Sequence, residues 1–315
     1  MGRIVIGTRG SALALWQARH VGALLRERHA GLEVSEKIVH TAGDLDGGSA
    51  VSRFGSTGVF VRELERELLA GTIDLAVHSL KDLPTDQPTG LMIVAVPPRH
   101  DARDALVSLR GWELDEVPSG TVVGTGSPRR RSQLLHARPD LCVEPLRGNV
   151  DTRLQRLREG HCGALLLAVA GLERLGVRDV GVRPLGAEIS LPAVGQGALA
   201  VEARVDDRAT RESAAALHDE STAVAVSAER AFFRRLGGGC QAPAAAHARF
   251  VHGELMVDAM VAELDGRAVL MERESGNAAD AVAIGKRLAE RLLVAGAGQM
   301  LERARREQSG ADHDG

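Results

Sequence analysis

The sequence predicts an α/β protein: two domains built on mainly parallel sheets, then a smaller C-terminal α/β domain with an antiparallel sheet. Three observations lead there. Short apolar runs alternate with amphipathic helical patterns through the first two thirds of the chain, the order expected of parallel sheets with helices on both faces. Ser11 and the Ser127-Pro128 pair stand where a helix would begin after an apolar run, as N-cap and first-turn residues do. From about residue 218 a long helical pattern precedes strand-like segments, which marks a different kind of unit.

Taken in order, RIVIG (3–7) reads as a strand, and Ala14, Ala18, Val21 and Leu25 follow Ser11 at helical spacing. A helix over 58–70 places Val61, Leu64 and Leu68 on one face and stops at Gly71. IDLAVHSL (73–80) is a buried strand ending in KDLPT, and LMIVAV (91–96) is another. The pattern then repeats. TVVGT (121–125) leads to a helix through RRRSQLLHA, and CVEPLRG to a helix in which Thr152 and Gln155 have capping-box spacing and Gly160 is the stop. GALLLAVAGL (163–172) is the next strand.

Residues 97–107 and 189–202 combine Pro or Gly with extended runs and read as crossings between two such units. The expected domains are 1–97 with 198–217, 102–191, and 221–306, the last with strands over 245–273 and a final helix over 278–305. Residues 307–315 read as a disordered tail.

With 44% hydrophobic and 26% charged residues in 315, the chain has the composition of a soluble globular protein. A net charge of −3 offers no basic excess for nucleic acid or anionic lipid. Aromatics, at 2%, leave few platforms for stacking bases. MGRIVIGTRG holds no apolar run long enough for a signal peptide, and no stretch is long enough to span a membrane. The expected compartment is therefore the cytoplasm. Nothing marks an extensive apolar interface, so a monomer is expected. Cys142, Cys162 and Cys240 are odd in number and form no C-x-x-C pair, which argues against a disulfide framework or a zinc site. The chain has only three lysines (Lys37, Lys81, Lys286) against 36 arginines, so an arginine carries meaning only through its placement.

That placement is uneven. Ligands of open parallel sheets sit beyond the carboxyl ends of the strands, where helix N-termini also point. At those positions stand Arg9 and Ser11, then Lys81 and Asp82, then Ser127, Arg129 and Arg130, then Arg147 and Arg153. Cations in first helical turns oppose the helix dipole, and an anion with several negative groups would resolve the conflict. A solvated arginine-rich surface is the competing reading. The phosphate-loop and dinucleotide-loop patterns are absent: GTGSPRRR lacks the glycine-lysine close, and GTRGSA replaces G-x-G-x-x-G after the first strand. A polycarboxylate fits the distributed cations better than a nucleotide does.

Asp82 is the one carboxylate at a strand end within this basic set. An aspartate there could accept N–H hydrogen bonds and stabilise a developing cation, or it could simply shape the KDLPT turn. His78 reads as a core histidine. Cys142 and Cys162 read as buried hydrophobes. Cys240, behind three glycines in GGGCQAP, is either one more small hydrophobe or an accessible attachment point.

Together the stretches IGTRGSALALWQA (6–18), GVFVRELERELLAGTIDLAVHSLKDLPT (58–85), VGTGSPRRRSQ (123–133), LRGNVDTRL (146–154), LPAVGQGALAVE (191–202) and GGCQAP (238–243) resemble the hydroxymethylbilane synthases, or porphobilinogen deaminases, in family order along almost the whole chain. The resemblance implies two periplasmic-binding-protein-like domains and a third bearing a dipyrromethane cofactor, bound by thioether to Cys240. It implies a transferase that deaminates porphobilinogen, joins four units head-to-tail and releases a linear tetrapyrrole, as in haem and porphyrin biosynthesis. It assigns Asp82 the catalytic carboxylate facing pyrrole N–H groups. Lys81, Asp82, Ser127, Arg129 and Arg130 match cofactor-binding positions, and Arg9, Ser11, Phe60, Arg147 and Arg153 match substrate-binding ones. No metal is implied.

Departures are few. RFGSTG (53–58) lacks a lysine usual in the family, and Pro128 and Arg131 replace a leucine and a glutamine without touching an anion-contacting position. Two competing functions remain: a two-domain polycarboxylate-binding module without catalysis, and a nucleic-acid-binding protein using SPRRRSQ, which the acidic net charge disfavours.

Overall fold

The structure is a computed structural model, and it describes residues 2–39, 56–237 and 241–311. The chain begins with β1 (Arg3–Thr8), α1 (Ala12–Arg28), β2 (Glu33–Ile38) and α2 (Ser56–Leu69). Then come β3 (Leu75–Ser79), β4 (Leu91–Ala95), β5 (Asp104–Ser108) and β6 (Val122–Gly124). Next are α3 (Pro128–Ala137), β7 (Cys142–Glu144), α4 (Val150–Arg158), β8 (Ala164–Ala168), α5 (Val169–Arg174) and β9 (Gly181–Pro184). The remainder is β10 (Leu199–Arg204), α6 (Arg208–Ala215), α7 (Glu220–Leu236), β11 (Ala244–Val251), β12 (Glu254–Ala262), β13 (Val269–Gly276), α8 (Ala281–Val294) and α9 (Ala297–Ala311).

Two compact units divide this chain, residues 1–100 with 198–223 and residues 101–197 with 224–315. The first holds one five-stranded sheet in the order β2-β1-β3-β10-β4. Its β2-β1-β3 part is parallel, and β10 enters antiparallel between β3 and β4. Ile6, Leu75, Val77 and Val201 pack against Ala18, Val21 and Leu25 of α1 on one face. Ala76 and Ile73 meet Leu64 and Leu68 of α2 on the other. The stop foreseen at Gly71 is real: its φ of +69° is a left-handed conformation that glycine adopts without strain, and Gly160 does the same after α4.

In the second unit a five-stranded sheet runs β7-β6-β8-β5-β9, with β5 antiparallel to both neighbours. A three-stranded antiparallel sheet, β11-β12-β13, carries α7, α8 and α9 on a core built around Phe232, Val257, Ala259, Ile284 and Leu288. Helices α7 and α8 cross in backbone contact. A Cβ on Gly285 would stand 2.1 Å from Ala228 O, so only glycine allows the approach. Among the described residues no helix is long and apolar enough to cross a membrane.

Several expectations need correction. The crossings expected at 97–107 and 189–202 do contain the unit boundaries, at 100/101 and 197/198, but each runs on into a strand, β5 and β10, that an antiparallel entry makes look like extended connection in sequence. Helix α4 is capped by Asn149, whose Oδ1 accepts from Thr152 N at 2.9 Å, and Thr152 is inside the first turn instead of capping it. Helix α9 continues through Ala311, so residues 307–311 are not a tail. Gln308 Nε2 reaches Gln241 O at 3.1 Å and Arg305 Nη2 reaches Gly237 O at 2.7 Å, which holds that last stretch down. Residues 312–315 lie outside the described residues. The final helix is two, parted at Gly296 with φ +106°. Cys142 is exposed at an edge strand and not a buried hydrophobe. Cys162 is buried, and burial pushes its thiol up.

Candidate functional site

In the first unit, the parallel pairing of β1 and β3 sets Gly7 beside Ala76. The strands therefore end side by side, and the stretches that carry Arg9 and Ser11 and that carry Lys81 and Asp82 leave the sheet at the same end. Ser11 caps α1 in extended conformation, its hydroxyl accepting from Ala14 N at 3.3 Å. Lys81 and Asp82 lie on a three-residue 3₁₀ turn, Leu80–Asp82, and both are half-buried. That turn is fixed from two sides: Gln17 Nε2 donates to Ser79 Oγ at 2.7 Å, and Leu80 N donates to Ala198 O at 3.0 Å. Phe60 lies in α2, and its side chain is outside the described residues.

A second cluster forms in the other unit by the same logic. Strands β6 and β7 are parallel, with Val122 beside Cys142, and Thr125 N donates to Glu144 O at 3.0 Å. The stretches Thr125–Ser127 and Pro145–Arg147 therefore leave the sheet together. Ser127 caps α3, accepting from Arg130 N at 3.4 Å, and Asn149 caps α4. Arg147 is exposed, while Arg153 is half-buried and donates from Nε to Gly148 O at 2.8 Å.

Arg129 and Arg130 have a partner that the sequence reading did not name. They turn inward, at 4% and 6% exposure, onto the fully buried carboxylate of Asp104 on β5. Arg129 Nη1 stands 2.7 Å from Oδ2, and Arg130 reaches Oδ1 through Nε at 2.9 Å and Nη2 at 2.6 Å. Ser190 Oγ and Gln196 Nε2 complete the shell at 2.8 and 2.9 Å. Two further guanidinium bonds go to Leu191 O and Leu166 O. Burial alone would push the Asp104 carboxyl up, but the charges and hydrogen bonds of both arginines outweigh it and hold it well below the carboxylate range. Part of the conflict between first-turn cations and the helix dipole is thus resolved inside the protein, by an aspartate the sequence reading left unassigned. An acid in an apolar strand is the signal that could have found it, since a buried charge needs a partner.

Arg174, at the end of α5, is a second buried charge missed from sequence. It is buried, its Nη2 donates to Gly197 O at 2.8 Å, and burial lowers its pKa to about 10. Arg131, read as inconsequential, ties α3 to the third sheet through Leu264 O at 3.3 Å, beside His136 Nδ1 and Gly266 O at 2.9 Å. Cys240 lies outside the described residues, as do residues 53–55 of the departing loop.

A family model for the porphobilinogen deaminase dipyromethane cofactor binding domain matches residues 4–212, and one for the porphobilinogen deaminase C-terminal domain matches residues 223–294. The porphobilinogen deaminase of Syntrophotalea carbinolica is 48% identical over 296 residues, 94% of either chain. That of Desulforudis audaxviator is 48% identical over 302 residues, covering 96% of this chain and 98% of its own. Among solved structures, the BenM effector binding domain with benzoate aligns over 68% of this chain and 88% of its own, with a TM-score of 0.41 at 14% identity.

Proposed function

The chain belongs to the porphobilinogen deaminase family, and from that membership we propose how its residues divide the work. The protein is a transferase of tetrapyrrole biosynthesis: it deaminates porphobilinogen, joins four units head-to-tail and releases hydroxymethylbilane. The observation that supports the residue assignment is the shared strand end from which both the stretch with Arg9 and Ser11 and the turn with Lys81 and Asp82 leave the sheet.

The donor set fits a dipyrromethane, which is rich in carboxylates. Lys81, with Arg9 and Ser11, offers cations and a hydroxyl at one sheet end, and exposed Arg147 offers a guanidinium at another. When bound, the group supplies the pyrrole to which incoming units are joined. Cys240 is the attachment point by thioether, with its flanks Gly237 and Gln241 held by α9.

Asp82 then serves as the catalytic carboxylate. It accepts pyrrole N–H hydrogen bonds and stabilises the positive charge that loss of ammonia leaves on the substrate. Lys81 and Ser127 bind cofactor carboxylates, and Arg9, Ser11, Arg147 and Arg153 bind those of substrate, with Phe60 beside them. Planar guanidinium forks match a carboxylate in two bonds at once. Arg129 and Arg130 serve cofactor binding from within the Asp104 network, where their positions are set before any ligand arrives. The same reading keeps three domains, one for each sheet, in a monomer of the cytoplasm.

Intact-protein mass is the test. Purified protein should carry an adduct of two pyrrole units, Cys240→Ser should lack it, and only the former should consume porphobilinogen. An unmodified chain that binds porphobilinogen without consuming it would instead favour the polycarboxylate-binding module.

A further inference from the structure

Beneath the turn that carries Lys81 and Asp82, three ionisable side chains meet in an apolar layer. His78 of β3 is 5% exposed, Glu65 of α2 is 7% exposed and Glu202 of β10 is fully buried. Strands β3 and β10 are antiparallel with Ala200 opposite His78 and Glu202 opposite Ala76, so His78 and Glu202 are diagonal neighbours on one face. A hydrogen bond of 3.1 Å joins His78 Nε2 to Glu202 Oε2. The other oxygen, Glu202 Oε1, is enclosed and has no hydrogen-bond partner among the described residues. Burial and the charge of Glu202 raise the pKa of Glu65, while His78 and Arg62 of α2 pull it the other way.

Such a cluster is expensive to bury, and apolar side chains of similar volume would often serve stability as well or better. What a hydrogen-bonded pair adds is a fixed direction. Here the direction matters, because the next residues of the chain are Ser79 and the turn Leu80–Asp82. The chain at β10 grips that segment twice: Ala198, just before the strand, accepts from Leu80 N at 3.0 Å, and two residues earlier Glu202 of β10 holds His78.

We propose that His78, held by Glu202, is a positioning residue for the reaction, fixing the end of β3 and hence the place of the Asp82 carboxylate. The inference rests on the assignment of Asp82 made above. A displacement of about 1 Å at a reacting group can cost on the order of a hundredfold in rate.

The test pairs steady-state kinetics with amide hydrogen exchange over residues 79–83 in the cofactor-loaded enzyme. His78→Leu, which suits an apolar site, is expected to lower kcat roughly ten- to a hundredfold with KM unchanged and to speed exchange over 79–83. His78→Gln, whose amide can still reach Glu202, should recover most of both. Should His78→Leu fail to fold, Glu202→Gln gives the same two readouts. Unchanged exchange overturns the inference whatever happens to kcat. Faster exchange with unchanged kcat also overturns it, because the turn would then loosen at no cost to the reaction.

Discussion

Arg130 holds Asp104 through two nitrogens, Nε at 2.9 Å and Nη2 at 2.6 Å, both on Oδ1 of a carboxylate with no solvent exposure. Arg129 takes the other oxygen, Oδ2, at 2.7 Å. Two cations around one buried anion leave each dependent on the others. Loss of the anion strands two guanidinium groups in a low-dielectric interior, where neither can recover its hydration.

Asp104→Asn is therefore expected to destabilise the protein by about 3–5 kcal/mol, measured by denaturant unfolding at pH 7. The Asp104 carboxyl is held below its ordinary range in the folded state. Its contribution is thus present above the unfolded value of about 3.9 and is lost as pH falls toward the folded one. The gap between wild type and Asp104→Asn should narrow on acidification below about pH 4. A gap that holds constant with pH would contradict the ion-pair account.

Asp82→Asn keeps the shape of the side chain and removes its charge. Turnover of porphobilinogen should fall roughly 100- to 1000-fold, while the melting temperature stays near that of wild type, since the half-buried turn is anchored by Ser79 and Leu80. Near-normal turnover would exclude Asp82 from the chemistry.

Glu65→Gln tests the buried acid of α2. A carboxyl whose pKa is raised in the folded state contributes most below its unfolded value, about 4.3, and that contribution is lost as pH rises through the folded value. The neutral amide escapes this loss. Glu65→Gln should therefore melt higher than wild type at pH 7, with the difference closing toward pH 4. Equal melting at both pH values would show that Glu65 ionises in the fold without penalty.

Gly285→Ala tests the crossing of α7 and α8. The added methyl would stand 2.1 Å from Ala228 O and 2.9 Å from Phe232 N, both backbone atoms. The helices must part, at a cost of about 1–3 kcal/mol, read as a lower unfolding midpoint. A substitution without effect would mean that the two helices slide freely on the third sheet.

Much of the site was legible because its signals are local. Ser11 and Ser127 cap helices after strands, Gly71 and Gly160 end them, and the residues that follow each strand bear the cations. The misreadings share a cause. Strands β5 and β10 enter their sheets antiparallel from distant parts of the chain, and β2, β9 and α6 are too short or too polar to stand out by periodicity. Asn149 was passed over as a cap because Thr152 offered an equally good local pattern three residues later; only the path of the backbone distinguishes them.

The sequence by itself determined the strand and helix alternation, the caps, and the line of basic residues at the strand ends, all set by neighbours within a few positions. Tertiary structure decided which of those basic residues face an internal anion. Asp104 is 25 and 26 residues from the arginines it binds and 86 from Ser190. Nothing in local spacing ranks one distant carboxylate above another. The pairing follows from β5 lying in the sheet that α3 caps, and from the cost of burying any of these charges alone.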